Sequence, residues 1–431
     1  MQAVTQIEWS QVGYAVMSFL VIILFLTATI LLVRSFFVQA KDCFICINND
    51  PELIKRVKAG QTLLQALTKA GIPIPSPCGG KASCKQCRLR VVEGGQPPLE
   101  TDSATFTKAQ LQDGWRLSCQ VKVRNDMSVI VDEQFLNVRE WRATVISNEN
   151  VATFIKELVV ELEPGEHINY KPGGFLEIYI PKFVTNTSEW KESIDPQYVH
   201  EWEKYGMLGQ QLDFSSCEEQ KRAYSLASYP GEKEKLIFNV RIATPPLKDG
   251  KVSKEIPWGF GSSYLFSLKP GDTIRVAGPF GHSFMIDDER DVYFLIGGAG
   301  SSFCRSHIFN LFKNKKTNRR VSMWYGARSL KENIYQEDYE EMEAMYPHFS
   351  YHLVLSEPTK EDIEGGWSES DPLKTNFLFK AFEKGELSRL EEPEEALYYV
   401  CGPPLHNTSV MKMLDDYGVP RDNIIIDDFG S

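Results

Sequence analysis

Basic charge is in short supply in this 431-residue chain: 47 Lys and Arg stand against 58 Asp and Glu, for a net charge of −11. Nucleic acid is therefore a poor main partner, because a phosphate backbone needs a basic face. Cysteine is also sparse, nine in all. That excludes a disulfide-built scaffold and makes the clustering of those nine the informative feature. No histidine has the setting of a metal ligand; His307 and His406 lie near expected helix starts and read as structural. The G-x-G-x-x-G dinucleotide fingerprint is missing. With 42% hydrophobic and 24% charged residues, the composition excludes a mainly disordered chain, a collagen-like fibre and a polytopic membrane protein. At about 150 residues per domain, the length suggests roughly three domains.

One long apolar run is present. Val12–Val33 has 22 residues and no charge. As a helix it would rise roughly 33 Å, enough to cross a bilayer core. Trp9 precedes it at the position of an interfacial aromatic. A cleaved signal peptide would need a basic start and a shorter apolar core, and residues 1–11 hold no Lys or Arg. The first basic residues after the run are Arg34 and Lys41. By the positive-inside rule they put the N-terminus outside and the remainder in the cytoplasm. Residues 1–40 thus read as a single-pass membrane anchor.

Residues 41–135 change character. CFICIN (43–48) and LRVVEG (89–94) look like strands around a helical stretch near Thr62–Ala70. Pro, Gly and Ser crowd residues 71–80 into a loop. There lie Cys78, Cys84 and Cys87, spaced C-x5-C-x2-C, with Cys119 alone after 31 intervening residues. Four thiolates hold zinc or an iron–sulfur cluster. Zinc favours two close pairs, whereas three cysteines in one loop plus a distant fourth fits a [2Fe–2S] centre. The first gap is one residue longer than the plant-type ferredoxin pattern and resembles the adrenodoxin-like branch. Gly79 and Gly80 permit tight winding around the metal. Cys43 and Cys46, three apart on a strand, point to opposite faces and are poor co-ligands. Cys217 has no motif.

A strand-rich region, 136–285, follows. It contains Arg222-Ala223-Tyr224-Ser225 within RAYSLASYP, then PWGFGSS with Gly259, Ser262 and Ser263. This pair of motifs resembles the ferredoxin–NADP reductase superfamily, which implies a six-stranded antiparallel barrel holding FAD. In that resemblance Arg222 neutralises the pyrophosphate, Tyr224 lies against the isoalloxazine and Ser225 hydrogen-bonds near the hydride-accepting nitrogen. Gly259, Ser262 and Ser263 offer donors to phosphate at a helix start. The stretch 184–220 carries Trp190, Tyr198, Trp202 and Tyr205 among many charges. It is a docking surface or a decoration that packs its own aromatics.

From 286 onward an apolar run meets Gly297, Gly298 and Gly300 and then a helix-like segment, while ALYYV leads into Cys401-Gly402-Pro403-Pro404. Strand, glycines, helix and C-G-P-P resemble the nicotinamide half of the same superfamily, an α/β parallel sheet binding NADH at its strand ends. There Cys401 sits beside the nicotinamide as a catalytic residue together with Ser225. Gly297, Gly298, Gly300, Gly402 and Pro403 contact the nucleotide, and Phe429 stacks on the flavin or is part of a frayed tail. Arg328 and Lys331 stand where a 2′-phosphate is received, so the residues leave NADH and NADPH open.

The order of anchor, α+β ferredoxin-like (β-grasp) [2Fe–2S] domain, antiparallel FAD barrel and α/β NADH domain, with YGARS and a DDFG ending, resembles the family of F subunits of the sodium-translocating NADH:quinone oxidoreductases. Ser301-Ser302-Phe303-Cys304 depart from that family's M-A-P-M and remove a proline from the first helical turn. Nucleotide affinity or loop mobility is expected to differ with it. The resemblance implies hydride transfer from NADH to FAD and single electrons through the cluster to other membrane subunits and ubiquinone. With one span and no acid inside it, the chain is not expected to be the sodium path. A reductase component of an oxygenase system is the alternative, distinguished by the span. A binding subunit that has lost catalysis is another; it would give a cluster spectrum without NADH oxidation.

Overall fold

The structure is a computed structural model that describes residues 9–37, 41–76, 78–132, 135–136, 138–232, 235–253 and 255–427. The chain divides into two compact units: residues 1–71 with 88–131, and residues 72–87 with 132–431.

The first unit begins with a 29-residue helix, Trp9–Phe37. Its side chains are described at 13, 14 and 16–29, and all of these are exposed. Among the described residues no helix is long and apolar enough to cross a membrane. A five-stranded sheet follows, in the order Asp50–Lys58, Asp42–Ile47, Met127–Ile130, Arg88–Glu93, Trp115–Leu117. Asn48 and Asn49 take positive φ (54° and 56°) at the first hairpin, the conformation a two-residue turn demands. The strand Asp42–Ile47 buries Cys43, Ile45 and Ile47, and leaves Cys46 on the other face. Helix Leu63–Lys69 opens with a reciprocal cap: the Gln65 N–H donates to Thr62 Oγ1, and the Thr62 N–H to the Gln65 side chain, each at 3.2 Å. It buries Leu63, Leu64, Ala66 and Leu67.

In the second unit six antiparallel strands run in the order Gln220–Ser225, Phe175–Ile180, Thr273–Phe280, Arg139–Ala152, Ile155–Leu162, Lys235–Arg241. The Ala227 N–H donates to Ile237 O at 2.7 Å, tying the end of the first to the last and closing a barrel. The 184–220 stretch packs its aromatics inward. Trp190, Tyr198 and Trp202 are buried in the barrel core with Trp258 and Phe266, and Trp202 Nε1 donates to Thr153 O at 2.7 Å. Of the two readings of this stretch, the decoration is the one observed.

The rest of the unit is a parallel sheet in the order Phe349–Leu355, Val321–Ala327, Val292–Gly297, Leu397–Cys401, Ile424–Ile426. Its central strand, VYFLIG, is buried throughout, as strands covered on both faces must be. Helix Ser301–Phe309 leaves that strand and is buried at every position.

Candidate functional site

A cavity of about 550 Å³ opens on the strand Gln220–Ser225. Arg222, Tyr224 and Ser225 wall it, together with Gly259, Phe260, Gly261 and Ser262. Arg222 and Tyr224 are two apart and share a strand face. Gly261 is required by proximity: a Cβ there would stand 2.8 Å from Arg222 Cγ and 3.1 Å from Tyr224 Oη. Helix Phe260–Ser267 starts at this wall, and the first N–H groups of a helix lack partners within it. A cation, an aromatic ring and an unfilled helix start together fit a flavin carrying a pyrophosphate. Burial pushes the Tyr224 phenol far above its ordinary range, so its hydroxyl stays neutral.

The two expected serines differ in setting. Ser262 Oγ donates to Gly259 O (3.2 Å) and accepts from the Ala243 N–H (3.0 Å), so it holds the helix start. Ser263 is fully buried behind the wall. Ser225 Oγ donates to Asp427 Oδ2 at 3.0 Å. That joins a barrel strand to the end of the chain, a pairing no sequence motif announces. Phe429 lies outside the described residues.

The cavity is also walled by Cys78, Lys81, Ser83 and Cys84. Their loop winds tightly, with positive φ at Gly79, Gly80, Ala82 and Lys85 (67°, 86°, 64° and 54°). The free thiols Cys78 and Cys84 have their sulfurs 3.2 Å apart. Burial alone would raise the Cys78 thiol, but backbone N–H groups of Cys84, Lys81 and Gly80 aimed at it bring it down to about 7. Burial pushes Cys84 up to about 11. Amides converging on a sulfur are what thiolate ligation of a cluster requires, so the donor set fits. Cys87 is buried in the same unit. Cys119 belongs to the other unit, where Gln120 Nε2 donates to its sulfur at 3.4 Å. Among the described residues no three His, Cys, Asp or Glu side chains are gathered as a metal site.

A second cavity, about 330 Å³, lies at the carboxyl ends of the parallel strands, the usual ligand position in such sheets. Gly297, Gly298, Pro403, Arg328 and Glu332 wall it. Gly298 has φ +56° and nothing within 4 Å of where a Cβ would stand, so its backbone is open to a ligand. Gly300 serves packing: its Cβ would meet Cys401 O at 2.5 Å. Cys401 is fully buried at its strand end. A Cβ on Gly402 would meet His406 Cδ2 at 2.6 Å. Gly300, Cys401 and Gly402 are not among the residues that wall either cavity. Arg241, absent from the sequence-based set, walls both.

The departing segment Ser301–Cys304 is bonded to the barrel. Ser301 Oγ accepts from Asn239 Nδ2 (2.9 Å) and Ser302 Oγ from the Asn239 N–H (3.2 Å), which fastens the helix start to the barrel. Arg305 makes a two-pronged pair with Glu232 at 2.8 and 2.9 Å and donates to Ala227 O at 2.9 Å. His307 sits in the last turn of its helix, not near the start, with Nε2 3.1 Å from Ser283 O; burial pushes it down to about 3. His406 Nε2 is 3.1 Å from Leu295 O. Both are structural.

Family models match in the same order as these features. The 2Fe-2S iron-sulfur cluster binding domain matches residues 47–124, the oxidoreductase FAD-binding domain 206–285 and the oxidoreductase NAD-binding domain 294–411. The F subunit of the Na(+)-translocating NADH-quinone reductase of Chlamydia pneumoniae is 59% identical over 408 residues, covering 94% of this chain and 95% of that protein. The chain belongs to this family of F subunits. A more distant member, in Pseudomonas aeruginosa strain PAO1, is 42% identical over 421 residues, covering 97% of this chain and 99% of its own. Two solved structures share the fold. The Amycolatopsis cytochrome P450 reductase has a TM-score of 0.59 at 20% identity, covering 90% of this chain and 98% of its own. The ferredoxin reductase in carbazole 1,9a-dioxygenase has a TM-score of 0.54 at 19% identity, covering 91% and 99%. The family's three cofactor-related domains thus lie on one chain, for FAD, a [2Fe–2S] cluster and a nicotinamide nucleotide.

Proposed function

We propose that this chain is the electron-input subunit of a sodium-pumping NADH:ubiquinone oxidoreductase, taking hydride from NADH and passing single electrons to other membrane subunits. One observation carries the reading: the cavity walled by Arg222, Tyr224 and Ser225 is also walled by the cysteine loop, and shares Arg241 with the nucleotide cavity. Bound FAD supplies the conversion between a two-electron donor and a one-electron acceptor, and the cluster supplies that acceptor.

The protein's own part is binding and orientation. Arg222 and the helix start at Gly259 hold the flavin pyrophosphate; Tyr224 lies along the ring; Ser225, fixed by Asp427, presents its hydroxyl to the reacting edge. Cys401, at the end of its parallel strand, is the catalytic partner beside the nicotinamide. Gly297, Gly298 and Pro403 receive the dinucleotide, with Gly300 and Gly402 giving the close packing behind them. Cys78, Cys84, Cys87 and Cys119 are the cluster ligands. The corresponding domains are 41–135, 136–285 and 286–431.

The anchor is part of the proposal. The backbone is helical from Trp9 to Phe37. Leu24 and Phe25 are 67% and 69% exposed, a surface that suits lipid. Thr27 and Thr29 turn their hydroxyls to Ile23 O and Phe25 O at 2.7 and 2.8 Å, as polar groups facing hydrocarbon must. The chain then crosses a bacterial inner membrane once, with catalytic domains in the cytoplasm.

The test is anaerobic stopped-flow mixing of the purified protein with NADH, following flavin bleaching and cluster absorbance together. Fast bleaching followed by cluster reduction is expected. Cys84→Ala should keep flavin bleaching and abolish quinone reduction. No bleaching by any nicotinamide nucleotide would overturn the reading.

A further inference from the structure

The sequence leaves two cations, Arg328 and Lys331, as receivers for a 2′-phosphate. Each has an acidic neighbour in the structure. Arg328 follows the strand Val321–Ala327 and walls the nucleotide cavity, and its guanidinium is 3.7 Å from the Glu332 carboxylate. Lys331 Nζ is 2.9 Å from Glu361 Oε2 and is not part of the cavity wall. Glu332 is itself held in place: Thr153 Oγ1 donates to it from the barrel, and its side chain is 16% exposed against 53% for Arg328.

The charge inventory is short. The charged residues walling the cavity are Arg241, Arg328 and Glu332, a net of one positive. The pyrophosphate common to both nucleotides already brings about two negative charges, and a phosphate monoester adds roughly −1.5 to −2 more. An acidic group near the ribose suits a free 2′-hydroxyl, which donates to it, and opposes a 2′-phosphate, which an unpaired arginine would welcome. Burial and the neighbouring Arg328 lower the Arg241 guanidinium, while Glu332 raises it, so Glu332 acts on both arginines.

We propose that Glu332 is the specificity-determining residue: by occupying Arg328 it makes the cavity select nucleotides with a free 2′-hydroxyl over those with a 2′-phosphate. Glu361 assists by holding Lys331 away. The inference rests on the nucleotide reading of this cavity, and its test separates the two.

The holoprotein and its Glu332→Gln and Glu361→Gln variants are titrated with 2′,5′-ADP and 5′-AMP, and the ratio of their affinities is read. Glutamine keeps an acceptor for Thr153, and Glu361 is on the surface, so the second variant remains informative if the first folds poorly. Expected is a shift of the ratio toward 2′,5′-ADP of about fivefold or more for Glu332→Gln, and a smaller shift in the same direction for Glu361→Gln. The ratio of kcat/KM for NADPH to that for NADH should follow. An unchanged ratio in both variants, or a wild-type protein that binds 2′,5′-ADP as tightly as 5′-AMP, would overturn the assignment to Glu332. Failure of the wild type to bind either adenine nucleotide would instead overturn the reading of the cavity.

Discussion

Replacing Gly300 by alanine separates steric need from ligand contact. At this position φ is −59° and ψ −13°, values any residue adopts, so the backbone conformation alone costs nothing. The obstacle is proximity. A Cβ would stand 2.5 Å from Cys401 O, 2.9 Å from its carbonyl carbon and 3.0 Å from its sulfur. Ordinary carbon contacts lie near 3.5–4.0 Å, so the closest approach is short by about 1 Å. The nearest atoms are backbone, in a strand whose Cys401 is in register with Ile296 of the central strand. No side-chain rotation relieves that. Overpacking of this kind costs about 1–3 kcal/mol, or roughly 2–5 °C in the melting transition of a unit this large.

Gly298→Ala is the control. Its φ is +56° with nothing within 4 Å of the new atom, so the cost is conformational, about 1–2 kcal/mol, and the methyl enters the nucleotide cavity. Thermal melts and NADH-driven flavin bleaching should then diverge. Gly300→Ala displaces the strand end bearing Cys401 and lowers the bleaching rate even at saturating NADH; Gly298→Ala mainly raises KM. Adding Cys401→Ala to Gly300→Ala removes the 3.0 Å contact only and should restore less than half of the lost stability. Full rescue, or a Gly300→Ala protein as stable as wild type, would refute the argument.

Trp202→Phe removes the donor to Thr153 O inside the barrel core, and should lower the urea midpoint by an amount worth about 1–3 kcal/mol; no change would remove the 184–220 stretch from the core. Lys156 is fully buried with Nζ 2.7 Å from Ser193 Oγ, and burial pushes its ammonium down to about 8. The unfolded chain keeps that proton to about 10.4, so this group makes stability rise with pH between about 8 and 10.4. Lys156→Met should flatten the rise, and identical pH profiles would refute it. Ser225→Ala should slow flavin bleaching by NADH while leaving the cluster spectrum intact; a wild-type rate would remove Ser225 from the mechanism.

Arg222, Tyr224, Ser225 and the helix start after Gly259 were legible because phosphate and ring chemistry demand those residue types at a short, fixed spacing. Arg241, Asp427 and Glu332 were not. Each is an ordinary charged residue at a strand end, near the terminus or in a loop, and acquires meaning only when the barrel closes against the parallel sheet. Ser262 walls the first cavity, and its hydroxyl also bonds the Gly259 carbonyl and the Ala243 amide, a local use that the sequence did not announce. The glycines of the nucleotide loop looked alike in sequence, yet only the folded neighbours separate open Gly298 from tightly packed Gly300.

The altered loop illustrates how a local constraint is exchanged for a tertiary one. Proline in a first helical turn fixes one backbone angle in advance. Here Ser301 and Ser302 accept from Asn239, Arg305 pairs with Glu232, and Ser306 Oγ donates to Ser228 O at 2.7 Å. Positions 301, 302, 305 and 306 fall on one helical face, and all four bond the barrel side through polar groups. The helix start is thus fastened to a barrel residue, Asn239, that also walls the first cavity. Moving that helix start away from the barrel would break both bonds to Asn239.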